Sequence, residues 1–208
     1  MKTEKLIQKL IIDLSPVKAN YPTYISFAIW FFSNILLMFI FIMSRSNSFK
    51  LIYKPTYYYE LILLILTFLF SGFFAIYLSV PGNKIKYKLY YLPILSLLFW
   101  ALLISLRFLF NNFLHPLLFE YHSCIKDILL MSIPSASILI FILNKRLPLK
   151  KKFTGLLLLS AASSSGALGI SFLCPNEMPI HLLSLHVLPV LALSLLGIIL
   201  SNLIFIDR

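Results

Sequence analysis

The chain has 208 residues, 60% of them hydrophobic and only 12% charged, with a mean hydropathy of +0.94. A soluble domain carries about a quarter charged residues, so this composition excludes an ordinary water-soluble fold and points to one membrane domain with short loops. The net charge of +11 would suggest nucleic acid in a soluble protein, but here the cations flank apolar runs, as membrane topology requires, and no direct nucleic-acid contact is expected.

Residues 1–22 differ in kind from the rest. Thr3 can cap a helix, and Leu6, Ile7, Leu10, Ile11 and Leu14 then make one apolar stripe with Lys5, Lys9 and Asp13 off it. Pro16 ends that helix by Ser15. An amphipathic helix of this size can lie on an anionic leaflet or dock into a groove on a soluble partner. Asp13 favours the protein partner, because lipid binding has no use for it. No apolar run begins before about Ile25 and no small-residue cleavage site follows it, so no removable signal peptide is expected.

Residues 23–208 predict an all-α, polytopic membrane domain of six spans, roughly 24–43, 59–80, 92–110, 125–143, 153–173 and 182–206. The fourth is short and contains Pro134, which is tolerable where neighbouring helices satisfy the freed carbonyl. Pro81-Gly82-Asn83, Asn111-Asn112, Asn144 with Pro148, and Pro175-Asn176 supply turn chemistry between spans. In the fifth span small residues recur four apart, at Ser160/Ser164, Ala162/Gly166 and Ser165/Gly169, which predicts close helix packing.

Thirteen of the 18 Lys and Arg fall at the N-terminus, the second and fourth loops and the C-terminus, and five on the other side. Both termini are therefore expected to be cytoplasmic in a bacterial inner membrane. Arg45, Lys50 and Lys54 in the first loop run against this count. Glu60, Arg107, Lys126 and Asp127 sit at outward helix ends, where anchoring at the interface accounts for them. Few ionisable groups lie at mid-membrane level, which argues against a proton-coupled transporter.

The outward side then holds both cysteines and all four histidines. Thiolate and imidazole are the usual ligands of zinc and softer metals, and they also oxidise or protonate near neutral pH. The candidate set for a transition-metal ion is Cys124, Cys174, His122, His181 and His186, with Glu177 and Glu120 as oxygen ligands. The local spacing matches neither a zinc ribbon nor a His-x-x-x-His helix pair, so chelation depends on two loops meeting in space. Cys124 and Cys174 can be a structural disulfide, a reversible redox or metal-sensing pair, or two unrelated thiols. His186, one turn into the sixth span, is either functional or bonded to a neighbouring helix. His115, beside Pro116, reads as an interfacial loop residue, and His122 joins Cys124 in one site only on irregular or extended backbone.

The start, with Leu6-Ile7, Leu10 and Asp13-Leu14-Ser15-Pro16-Val17 ahead of Trp30, resembles the NrsF-type membrane anti-sigma factors. So does the end, Cys174-Pro175-Asn176-Glu177, His181-Leu182-Leu183 and His186-Val187-Leu188-Pro189-Val190. The chain departs from the family pattern at Leu185, where a tryptophan is expected, and at the single Lys18, where more arginine is expected. The resemblance implies six spans behind a cytoplasmic N-terminal segment that holds an extracytoplasmic-function sigma factor inactive. It also implies that the paired cysteines, Cys124 and Cys174, sense metal or oxidative stress. The expected function is thus a sensor and anti-sigma factor rather than an enzyme, with the bilayer and a sigma factor as partners. A membrane thiol oxidoreductase is the first rival, though no Cys-x-x-Cys pair is present, and a small transporter is the second.

Overall fold

The computed structural model describes residues 21–45, 55–80, 89–110, 122–146, 148, 150–174, 176 and 178–205. All secondary structure among them is helical, and six helices are long and apolar enough to cross a membrane. They are α1 (Thr23–Arg45), α2 (Pro55–Leu78), α3 (Leu92–Phe110), α4 (His122–Asn144), α5 (Lys151–Ser171) and α6 (Pro179–Ile204). A single 3-10 turn, Leu89–Tyr91, leads into α3. The predicted spans sit on these helices, with ends shifted by a few residues. The largest shifts are at the starts of α2, α4 and α6, which begin at Pro55, His122 and Pro179 rather than at 59, 125 and 182. The amphipathic stripe of residues 1–22 falls outside the described residues, except for Tyr21 and Pro22.

α5 is the centre of the bundle. Its residues from Ser160 to Ile170 are buried without interruption, and it packs against α2, α4 and α6. The small-residue repeat is what permits this. A Cβ on Gly155 would strike the carbonyl of Gly197 on α6, and the reverse holds for Gly197. A Cβ on Gly166 would likewise run into the carbonyl of Ile128 on α4. Backbones approach this closely only where no side chain stands between them, and between apolar helices such packing supplies the attraction that hydrophobic burial cannot. Serines add to it: Ser71 of α2 and Ser160 of α5 share a hydrogen bond of 3.2 Å, while Ser164, Ser165 and Ser194 bond carbonyls within their own helices.

By contrast, α1 and α3 turn large apolar side chains outward, including Phe32, Phe39, Leu95, Phe99 and Leu109. A face of this kind suits lipid contact. Trp30 is the inward anchor of α1, fully buried against Phe68 at a ring separation of 4.8 Å. Pro134 does not interrupt α4, which continues for 23 residues through it.

Candidate metal and thiol centre

Three chain segments converge at one end of the bundle. Cys124 stands in the first turn of α4, Cys174 follows the last turn of α5, and His181 and His186 lie in the first turns of α6. One ligand atom from each of these four residues lies within 4.8 Å of every other. The two sulfurs are 3.8 Å apart, and His181 Nε2 lies 3.7 Å from Cys124 Sγ and 3.2 Å from Cys174 Sγ. Around a tetrahedral zinc with bonds of about 2.3 Å to sulfur and 2.0–2.1 Å to nitrogen, edges are about 3.8 Å for S–S and about 3.6 Å for S–N. The donor atoms already stand near those separations. His186 is 2% exposed, and its Nε2 is buried with no hydrogen-bond partner. A buried imidazole nitrogen with no partner among the described residues, in a cluster of two thiols and a second imidazole, has the chemistry of a metal donor.

Histidines five apart do not share a face of an α-helix, yet here their rings are 5.6 Å apart. The backbone explains it. Residues Leu183–Val187 form a π turn, closed by the Leu188 N–H donating to the Leu183 carbonyl. Pro189 has no N–H to offer the Leu185 carbonyl, which weakens the α-helical ladder just there. The wider turn adds one residue per cycle, so a spacing of five acts as a spacing of four.

Both cysteines are free thiols, and Cys124 is buried. The Cys124 Sγ–H donates to Cys174 Sγ, and the Cys174 thiol donates to the Asn176 carbonyl at 3.6 Å. The contact with Cys124 and then burial push the Cys174 thiol above its ordinary range, because two thiols in contact share the last proton of the pair and give it up with difficulty. A cavity of about 30 Å³, room for a water or two, opens beside Cys174 and His186 and is lined also by Glu60, Arg107 and Asn176.

The remaining sequence candidates fall elsewhere. His122 begins α4, so its backbone is helical rather than extended; its side chain is outside the described residues. Glu177, Glu120 and His115 are also outside the described residues, as are Leu6, Ile7, Leu10, Ile11, Asp13 and Leu14.

Four of the charges expected at outward helix ends are paired rather than mere anchors. Arg45 at the end of α1 bonds Asp127 of α4 at 2.8 Å, and Arg107 of α3 pairs with Glu60 of α2. Sequence reasoning missed these pairs. The signal available was that Arg45 and Arg107 lie on the side with few cations and that the same side carries carboxylates at helix ends.

The fold and the site define a class: a six-helix bundle suited to a membrane, with a dithiol–diimidazole cluster at one end. Residues 10–205 match the family described as NrsF, negative regulator of sigma F, and the chain belongs to that family. Its members act as negative regulators of a sigma factor. No curated protein and no solved structure matches the chain.

Proposed function

We propose that this chain is a multi-pass inner-membrane anti-sigma factor that restrains an extracytoplasmic-function sigma factor and releases it on a metal or oxidative signal, and that it catalyses no reaction. The observation that carries the signalling part is the convergence of Cys124, Cys174, His181 and His186. The distribution of cations supports an orientation with this cluster outside and both termini in the cytoplasm. In this reading residues 1–22 hold the sigma factor through Leu6, Ile7, Leu10, Ile11 and Leu14, with Asp13 at the edge of the contact.

The same four residues can receive either signal. A soft or borderline divalent ion would be held by two thiolates and two neutral imidazoles, and its binding releases the thiol protons. Alternatively, hydrogen peroxide takes two electrons and two protons from Cys124 and Cys174. One S–S bond forms, the O–O bond breaks, and two waters leave. The sulfurs must then close from 3.8 Å to about 2.05 Å. Disulfide formation draws the start of α4 toward the α5–α6 connection, whereas a metal ion would fix the two at close to their present separation. A bundle with two packings would pass this bias to the opposite end.

The test is copurification of a host sigma factor with the full-length protein from membranes, with a peptide of residues 1–22 as competitor. Absence of any sigma factor from the full-length protein would sink the reading. For the sensing site, Cys124→Ser and Cys174→Ser variants should keep the sigma factor bound when metal or peroxide is added. A normal response in both leaves the thiols without a sensing role.

A further inference from the structure

The helix that begins with the thiol end also holds the root of the N-terminal segment. The turn after α4 carries Arg146, whose Nη2 donates to the Tyr21 carbonyl at 2.6 Å and to the Ser26 hydroxyl of α1. Tyr21 is the residue that directly follows residues 1–20 in the chain and precedes α1. Arg146 is 4% exposed, and its buried Nη1 has no partner among the described residues. Burial lowers its guanidinium from the ordinary arginine range. The two carboxylates among the described residues, Glu60 and Asp127, both belong to arginines at the other end. A buried cation whose partners among the described residues are a carbonyl and a hydroxyl is a costly way to fasten two helices, which an apolar contact would do better. It does, however, grip the backbone itself, and so sets the place and direction in which the chain enters the bundle.

At the opposite end of the same two helices, Asp127 bonds Arg45. Asp127 lies one helical turn from Cys124, on the helix whose other end carries Arg146. α1 and α4 are thus clamped at both ends, and a shift of Cys124 reaches the root of the N-terminal segment through one helix pair. We propose that Arg146 is the positioning residue that couples the thiol end to the N-terminal segment, holding Tyr21 in the inhibitory arrangement until α4 moves. This rests on the reading of residues 1–22 as the sigma-binding element.

The test uses full-length Arg146→Ala, Arg146→Lys and Ser26→Ala, with three readouts: a sigma-dependent reporter in cells, protein level in membranes, and binding of cobalt(II) to the solubilised protein. Arg146→Ala should raise unstimulated reporter output between about 5- and 150-fold, the range of ordinary coupling energies, with cobalt binding unchanged. Arg146→Lys, which keeps one donor for the Tyr21 carbonyl, should rescue part of the restraint, and Ser26→Ala should raise output least. Unchanged output from Arg146→Ala at normal membrane level overturns the inference, as does loss of cobalt binding together with restraint, which marks a merely structural residue. If Arg146→Ala does not accumulate, the other two variants decide, and wild-type output in both overturns it. A wild-type protein that carries no sigma factor defeats the underlying reading instead, so the two failures are separable.

Discussion

At one end of α4, Cys124 touches a second thiol and lies among two imidazoles; at the other, Arg146 holds a backbone carbonyl and a hydroxyl. The first set changes state readily, since thiols oxidise and both thiols and imidazoles exchange protons for metals. Arginine does neither: even when burial lowers its pKa, the guanidinium stays charged at any physiological pH. In our reading the thiol end receives chemistry and the arginine end transmits only position. The bundle between them is suited to this, because α5 packs backbone to backbone against α4 and α6 and leaves little slack for side chains to absorb a shift.

The largest effect that sharpens this contrast is on ligand affinity. His186→Ala removes a buried donor and should weaken cobalt(II) binding at least a hundredfold, roughly the upper end of what supporting residues alone cost. Titration of the cobalt–thiolate absorption measures it, and near-native affinity would remove His186 from the site. Restraint of the sigma factor without stimulus should survive this variant, since the arginine end is untouched.

A smaller effect concerns thiol reactivity. The Cys174 pKa is raised by its contact with Cys124, so at about pH 8.5, the midpoint of an ordinary thiol, Cys174 remains mostly protonated in metal-free protein. Its alkylation should therefore lag a free thiol and quicken only at higher pH. Cys124→Ser removes the largest cause of the shift and should speed alkylation of Cys174 several-fold, roughly tenfold for each unit by which the pKa falls. Mass spectrometry of maleimide-treated protein reads the rate, and an unchanged rate would show that burial rather than the sulfur contact holds the proton.

The smallest effect is at the Arg45–Asp127 clamp. Arg45 is 53% exposed while Asp127 is 9% exposed, so the pair is partly screened. Asp127→Asn should lower stability by less than about 1 kcal/mol, seen as a small drop in the thermal midpoint in detergent. A large drop would mean that the two clamps matter to the fold more equally than their burial suggests.

Much of the architecture was legible because its signals are local. Spans are set by the length of apolar runs, and the closeness of α5 to its neighbours by small residues recurring four apart, such as Ser160/Ser164 and Ala162/Gly166, on several of its faces. The candidate site was legible only as a list of residue types. His181 and His186 have a spacing that argues against a shared face until the π turn is known, and Pro189 is its local sign. Arg146 read as one more cation of a basic loop, and Arg45 as an exception to the count; each is explained by a partner more than 80 residues away, 125 residues for Arg146 with Tyr21 and 82 for Arg45 with Asp127.

The sequence by itself determined that the chain makes six apolar helices, that thiols and imidazoles collect on one side of them, and that the family is NrsF. These follow from composition, periodicity and short motifs, each of which acts within a few turns of chain. The tertiary structure alone decided that residues 124, 174, 181 and 186 meet within 4.8 Å and that α4 is tied to α1 at both ends. Both depend on how α1, α4, α5 and α6 pack side by side. That packing joins residues distant in sequence through backbone approach and a π turn, neither of which leaves a periodic trace in the sequence.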